Sequence, residues 1–193
     1  GFAHRLEGPL DLRFDNCSDS ETAAELIRES SSEALKSILR NYGEIPAAGR
    51  IASALKAGQP ETTAELVKLV ESCLPYDKRE KRLSQIFQAL RITVNSELSS
   101  LQKFLDSVPD RLKSGGRLVI VSYHSLEDRM VKEFLVRESQ SCICPPEFPV
   151  CVCDHKARFK VITKRVVKPD QQEIEANPRS RSARLRCGER IDG

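Results

Sequence analysis

The residues of this chain best suited to chemistry stand together. Ser122, Tyr123, His124, Ser125, Glu127 and Asp128 close the run Gly115-Gly116-Arg117-Leu118-Val119-Ile120-Val121. Hydroxyls and carboxylates accept hydrogen bonds, and an imidazole, which ordinarily titrates near neutrality, can relay a proton. Such a set can orient a polar ligand, and positioning alone contributes many orders of magnitude to a rate. Ser125 and Asp128 also read as the cap and the reciprocal acid of a helix N-terminus, and His124 as a ring bonded to a neighbouring carbonyl. Capping does not account for Ser122, Tyr123 and His124 crowding the same turn. Ser122, His124, Ser125 and Asp128 are therefore the candidate catalytic residues.

Two further groups could bind rather than react. Arg179, Arg181 and Ser182 follow the turn-forming pair Asn177-Pro178. Guanidinium forks there would grip phosphates and so position a nucleic acid without reading its sequence. Asp11 and Arg13 lie in an irregular polar stretch, where polar side chains more often bind than pack, although a structural ion pair fits them too. Arg91 and Asn95 are four apart and share a helix face, which lets both reach one ligand or one loop. Glu97 reads as an exposed polar residue of the same amphipathic region.

The cysteines raise a separate question. Cys142-Ile143-Cys144 and Cys151-Val152-Cys153 bracket Pro145, Pro146 and Pro149, with His155 close behind. Four clustered thiols can hold a tetrahedral zinc ion, although the spacing is tighter than a C-x-x-C knuckle; reduced thiols in a proline-bent loop are the alternative. Cys17, Cys73 and Cys187 are isolated, and the last two fall on apolar faces.

Particular elements must position these groups. The Gly115-Gly116 turn leads into an apolar run with the length of a strand buried on both faces, and a helix follows from Leu126 to about Arg137. Strand, polar turn and helix is how open α/β sheets build ligand sites at the carboxyl ends of parallel strands. Upstream lies a helical region. Thr22-Ala23-Ala24-Glu25 and Thr62-Thr63-Ala64-Glu65 read as capping boxes, Ser32 caps a helix that Gly43 stops, and Pro46 opens another. The longest helix carries Leu83, Ile86, Phe87, Leu90, Val94, Leu98, Leu101 and Leu105 at three- and four-residue steps, and is expected to pack on the sheet. Downstream, Phe159–Val167 and Ala183, Leu185 and Cys187 alternate as strands, with a short acidic helix near Asp170–Ala176 between them. These strands form part of a sheet, whose open edge would need cover.

Composition excludes several classes. At 193 residues, 39% hydrophobic and 31% charged, the chain suits one domain or a domain and a half. It has no apolar stretch long enough to span a membrane and no signal-peptide pattern. The net charge of +3 is uneven: residues 155–193 carry net +6 and the remainder net −3. A basic tail is the footprint of a polyanionic partner, or else a solvated lysine- and arginine-rich face.

The turn Ser122-Tyr123-His124-Ser125-Leu126-Glu127-Asp128-Arg129 resembles the S-[FY]-H-S-L-E-D-R signature of the bacterial RsmH/MraW family. Gly8-Pro9-Leu10-Asp11-Leu12-Arg13-Phe14-Asp15 resembles its G-P-L-D-M-R-M-D segment, with Leu and Phe replacing Met. Phe87 through Leu98 resembles its F-Q-A-L-R-I-x-V-N-x-E-L helix, and Asn177 through Arg186 its N-P-R-[AS]-R-S-A-x-L-R tail. These motifs occur in the family's order across the whole chain. The family's members use S-adenosylmethionine to methylate the exocyclic N4 of a cytidine in small-subunit ribosomal RNA.

The resemblance implies an α/β fold, the C-terminal part of a Rossmann-like class I methyltransferase sheet joined to an all-helical insertion domain. An irregular leading segment and the insertion would occupy residues 1–80, and the C-terminal half of the methyltransferase domain residues 81–193. Taken with the residue readings above, chemistry is expected at Ser122, His124, Ser125 and Asp128, and RNA contacts at Asp11, Arg13, Arg91, Asn95, Arg179, Arg181 and Ser182, the resemblance favouring function for Arg91 and Asn95. The implied donor is S-adenosylmethionine, and the implied partner is small-subunit ribosomal RNA or the assembled subunit in the cytoplasm, with no membrane. The glycine-rich cofactor loop is expected ahead of Gly1, because Gly115-Gly116 precedes a strand rather than following one; the chain alone is expected to bind the donor poorly. The rival readings are a non-catalytic RNA-binding module, stabilised by zinc, and a helical protein-interaction domain.

Overall fold

The computed structural model describes residues 7–15, 20–145, 147–148 and 150–192. Cys17, Pro146 and Pro149 lie outside the described residues. The chain divides into two compact units, residues 1–97 and 98–193.

The first unit is helical. Its helices are α1 (Ala23–Glu29), α2 (Ser32–Asn41), α3 (Ala48–Gly58), α4 (Thr63–Cys73) and α5 (Arg79–Val94). Both capping boxes form: Thr22 and Thr62 accept from the amides of Glu25 and Glu65, whose carboxylates accept from the cap amides in return. The second helix starts one residue earlier than expected, with Ser31 rather than Ser32 as its cap. Gly43 ends it where a side chain cannot go, since a Cβ there would sit 2.7 Å from the Leu39 carbonyl oxygen. Ile27, Leu35, Leu39, Ile51, Leu55, Leu66, Ile86 and Leu90 are fully buried in one core.

Helix α5 departs from expectation in two ways. Its apolar stripe is spent inside this helical core, against α1, α2 and α4. The long helix drawn through Leu105 is also broken: Ser96 adopts a left-handed φ of +50°, and a separate helix α6 (Glu97–Ser107) begins after it. The Asn95 side chain turns back to neighbouring backbone there, a competition with helical bonding that short polar residues offer.

The second unit contains α6, β1 (Arg117–Ser122), α7 (Ser125–Glu138), β2 (Phe159–Val161), α8 (Gln171–Ala176) and β3 (Arg184–Arg190). The sheet order is β1-β3-β2, and both pairings are antiparallel. The parallel arrangement expected from the strand–turn–helix pattern is thus absent among the described residues, because β3 runs back alongside β1. Nor is β1 buried on both faces. Leu118 and Ser122 point under α7, whereas Val119 and Val121 are about half exposed on the other side.

Leu118, Val131, Phe134, Leu135 and Phe159 make the core between α7 and the sheet, with Phe134 and Phe159 meeting edge to face. Gly188 permits this packing: a Cβ on it would lie 2.5 Å from Leu135 Cδ2. Strand β2 is shorter than its alternation suggested. After Val161 the Thr163 hydroxyl accepts from the Cys187 amide at 2.8 Å, taking a place in the ladder that backbone would otherwise fill, and Val167 rejoins β3 only through a bridge to Leu185.

Between α7 and β2, residues 139–158 form a loop closed at its base. Glu138, 1% exposed, accepts from Arg158 Nε at 2.7 Å and from Arg137 Nε at 3.1 Å, and its carbonyl accepts the Arg158 amide at 2.8 Å. Burial pushes the Glu138 carboxyl up, but the two guanidinium groups outweigh it and hold it below the usual carboxylate range.

Candidate active site at one end of the sheet

The turn between β1 and α7 is built one residue out of step with the sequence reading. His124, not Ser125, caps α7: its Nδ1 accepts from the Glu127 amide at 3.3 Å. The reciprocal acid is Glu127, not Asp128, and its carboxylate accepts from the amides of Tyr123 at 3.0 Å and His124 at 3.4 Å. The physical reason is that an imidazole nitrogen serves as a cap acceptor, so the helix starts earlier and Ser125 becomes its first residue. In the neutral ring the proton then sits on Nε2, which lies 3.5 Å from Glu127 Oε2.

That shift gives Asp128 a different job. It falls on the face of α7 that carries Val131 and Leu135, toward the sheet. There Arg186 Nε donates to Oδ1 at 2.6 Å and Nη2 to Oδ2 at 3.1 Å, while Arg184 Nη1 donates to Oδ2 at 3.3 Å. The Arg186 hydrogen bonds, opposed by burial and reinforced by Arg184, hold the Asp128 carboxyl below the usual range. Sequence reasoning missed both arginines as site residues. Their signal was the polar phase of a strand whose apolar phase, Leu185 and Cys187, was read.

Register fixes what else meets there. Ser122 pairs with Arg184 and Ile120 with Arg186 across the β1–β3 ladder. Because the strands are antiparallel, the exit of β1 and the start of β3 share one end of the sheet. The 3-10 turn Pro178–Ser182 enters β3 at that end. Asn177 caps this turn by accepting the Arg179 amide at 3.2 Å, Ser180 is buried, and Arg179, Arg181 and Ser182 are exposed. Neither arginine pairs with a carboxylate among the described residues. Ser122 and His124 are buried, Ser125 is half-buried, and Tyr123 is 56% exposed at the mouth of the turn.

The candidates in the helical unit are also brought together, but they bind one another. Arg13 grips Asp11 through Nε at 2.7 Å and Nη2 at 2.9 Å, and this pairing, opposed by burial, lowers the Asp11 carboxyl. Arg91 holds Glu97 in the same two-pronged way, at 2.8 and 3.0 Å. Asn95 donates to the carbonyls of Leu12 and Arg91 and accepts the amide of Phe14 at 2.8 Å. It thereby holds Leu12, whose φ is +65° and whose side chain is buried. Asn95→Ala is expected to lower stability by about 1–3 kcal/mol, since the carbonyl of buried Leu12 loses its partner. Urea unfolding of the variant checks this, and amide exchange at residues 12–14 should accelerate.

The four thiols of the cysteine loop converge, with all sulfurs within 4.8 Å of one another. The amides of Ile143 and then His155 hold Cys153 down to about 6. Cys142 accepts from the Cys144 amide, yet the thiols of Cys151, Cys144 and Cys153 push it up to about 12. His155 is used elsewhere, donating from Nε2 to the Arg137 carbonyl at 3.1 Å. Cys187 is buried in the sheet and Cys73 is half-buried.

A strand-exit turn locked under a helix and a basic turn thus share one end of the sheet. The chain belongs to the MraW methylase family, whose sequence profile matches residues 1–191. It is similar to proteins named ribosomal RNA small subunit methyltransferase H. That of Oleidesulfovibrio alaskensis is 46% identical over 99% of this chain and 61% of its own length. Those of Halothermothrix orenii and Thermomicrobium roseum are 46% and 47% identical over 99% of this chain and 63% and 60% of their lengths. The chain thus spans about three fifths of the length of these curated relatives. No helix among the described residues is long and apolar enough to cross a membrane.

Proposed function

We propose that this chain is part of an S-adenosylmethionine-dependent methyltransferase that modifies N4 of a cytidine in small-subunit ribosomal RNA, free or in the assembled subunit, in the cytoplasm. The observation that carries this reading is the shared sheet end: antiparallel pairing of Ser122 with Arg184 sets the 122–128 turn beside the 178–182 turn. Arg179 and Arg181 hold RNA phosphates, while exposed Tyr123 offers a ring on which a base can stack. His124 and Glu127 orient the target amine, and Asp128 positions the helix through Arg186 rather than touching the base. Asp11, Arg13, Arg91 and Asn95 act by shaping the 7–15 segment.

S-adenosylmethionine would supply the methyl group, but the described residues do not fit it. The Gly115-Gly116 turn, with Gly115 at φ +80°, precedes β1, and the amides of Tyr123 and His124 just ahead of α7 are occupied by the Glu127 carboxylate. What this chain contributes is RNA grip and base placement.

The test is a chimaera in which residues 1–191 replace the matching stretch of the Halothermothrix orenii relative. Incubated with small-subunit RNA and the donor, it should yield N4-methylcytidine on nucleoside mass spectrometry. A different methylated nucleoside would overturn the cytosine-N4 assignment. A folded chimaera that binds RNA without methylating it would favour the non-catalytic RNA-binding module.

The RNA grip has its own signature. In the chimaera, Arg179→Ala and Arg181→Ala should each flatten the log–log salt dependence of RNA binding, by about 0.7–0.9 for every phosphate left without its guanidinium. Filter-binding titrations at several salt concentrations measure it. An unchanged slope with abolished turnover would transfer the arginines to the reacting base.

A further inference from the structure

The loop 139–158 takes no part in the site above, yet it holds the densest cluster of metal-binding atoms in the second unit. Cys151 Sγ lies 3.6 Å from Cys153 Sγ, Cys153 Sγ lies 3.9 Å from Cys142 Sγ, and all four sulfurs fall within 4.8 Å of one another. Four thiolates bound to one ion at about 2.3 Å would form a tetrahedron with edges of about 3.8 Å. The Cys151–Cys153 and Cys153–Cys142 edges already have that length, and the remaining sulfurs lie within 4.8 Å.

We propose that Cys142, Cys144, Cys151 and Cys153 form a tetrahedral tetrathiolate site for one zinc ion, which locks the tip of the 139–158 loop. Three features of the surroundings support a single ion. The amides of Ile143, Cys144 and Val152 point at the sulfurs of Cys153, Cys142 and Cys144, at 3.4–3.5 Å. These N–H groups offset the net negative charge that four thiolates keep around a dication, as outer-shell donors do in metal sites. His155, whose Nε2 donates to the Arg137 carbonyl, is not among the converging ligand atoms, so the ligand set is all sulfur. All-thiolate sets select soft or borderline ions; Cu(I) is satisfied by fewer thiolates, and an iron–sulfur cluster needs its thiolates spread around several irons.

The consequence is mechanical. The Glu138–Arg158 pair fastens the loop at its base, and the ion fastens it at its tip. Between the two, Ile143, Phe148, Val150 and Val152 are 45–70% exposed. Without a metal only weak amide-to-sulfur hydrogen bonds and the Phe148 amide bond to the Pro145 carbonyl hold that tip among the described residues, and apolar side chains so exposed would draw it into other conformations.

The full 193-residue chain, purified under reducing conditions without chelator, should carry about one zinc per chain by elemental analysis. Titration of the metal-free chain with Co2+ should produce the intense ligand-field and charge-transfer bands of tetrahedral thiolate coordination. Cys142→Ser and Cys151→Ser should each weaken Co2+ binding by at least the roughly 10–100-fold that outer-shell changes alone cause, and Cys73→Ser should leave it unchanged. Should the cluster variants fail to fold, limited proteolysis of the wild type decides: chelation should open cleavage within residues 139–158, and added Zn2+ should close it. A metal-free protein with four freely titrating thiols, stoichiometric iron and sulfide, or cleavage indifferent to chelation would each overturn the proposal.

Discussion

Asp128→Ala is expected to lower the stability of the second unit by about 3 kcal/mol, the lower end of the 3–5 kcal/mol seen when one partner of a buried ion pair is removed. The loss comes mainly from Arg186, 12% exposed, which would keep its charge without its carboxylate. Arg184, 38% exposed, can turn to water, which keeps the cost from the upper end. Asp128→Asn should lose less, because its amide oxygen still accepts one guanidinium. The pair also sets a pH dependence. The folded carboxyl titrates below its unfolded value, so its stabilisation is fully present above that value and is lost as pH falls through the lowered one. Urea midpoints measured from neutral pH down to about pH 3 should therefore fall more steeply for the wild type than for Asp128→Asn. Parallel curves would remove the ion pair from the account of this fold.

His124→Ala and His124→Asn together should separate the cap from the chemistry. Alanine loses the Nδ1 acceptor and about 1 kcal/mol of capping, whereas asparagine is among the best N-caps and should melt like the wild type. If the imidazole orients the target amine or takes its proton, both variants should lose about 10²–10⁴-fold in single-turnover methylation, the range attributed to such groups. The assay uses the chimaera with saturating RNA, so binding does not limit the rate. If His124→Asn methylates like the wild type, the imidazole serves only the helix, and Glu127 and Tyr123 must place the base.

Much of the helical unit was legible from local signals. Thr22 with Glu25 and Thr62 with Glu65 are capping boxes decided within four residues, and the stripes of Leu35, Leu39, Leu66 and Val70 follow the helical period wherever the partner lies. The α7 cap misled because Ser at a cap outranks His in general preference, while here the earlier residue offered an acceptor and its acid stood at the right spacing. The break at Asn95-Ser96 was hidden because the apolar spacing continues through it into α6. What stops the helix is a set of bonds from Asn95 to Leu12 and Phe14, more than eighty positions away.

By itself the sequence determined the family, through motifs long enough to exclude chance. It also determined the α/β class, most helix boundaries and the four-cysteine array, all properties of neighbours in the chain. Tertiary structure alone decided that β3 returns antiparallel beside β1 and that α5 is spent in the helical core. It alone turned Asp128 from a free acceptor into the anchor of Arg186, and brought four thiols to within one ion's reach. The reason is physical. Capping and periodicity act over one or two turns, whereas strand partners, buried charges and converging ligands join residues ten to eighty positions apart, whose pairing depends on which surfaces the folded chain can close together.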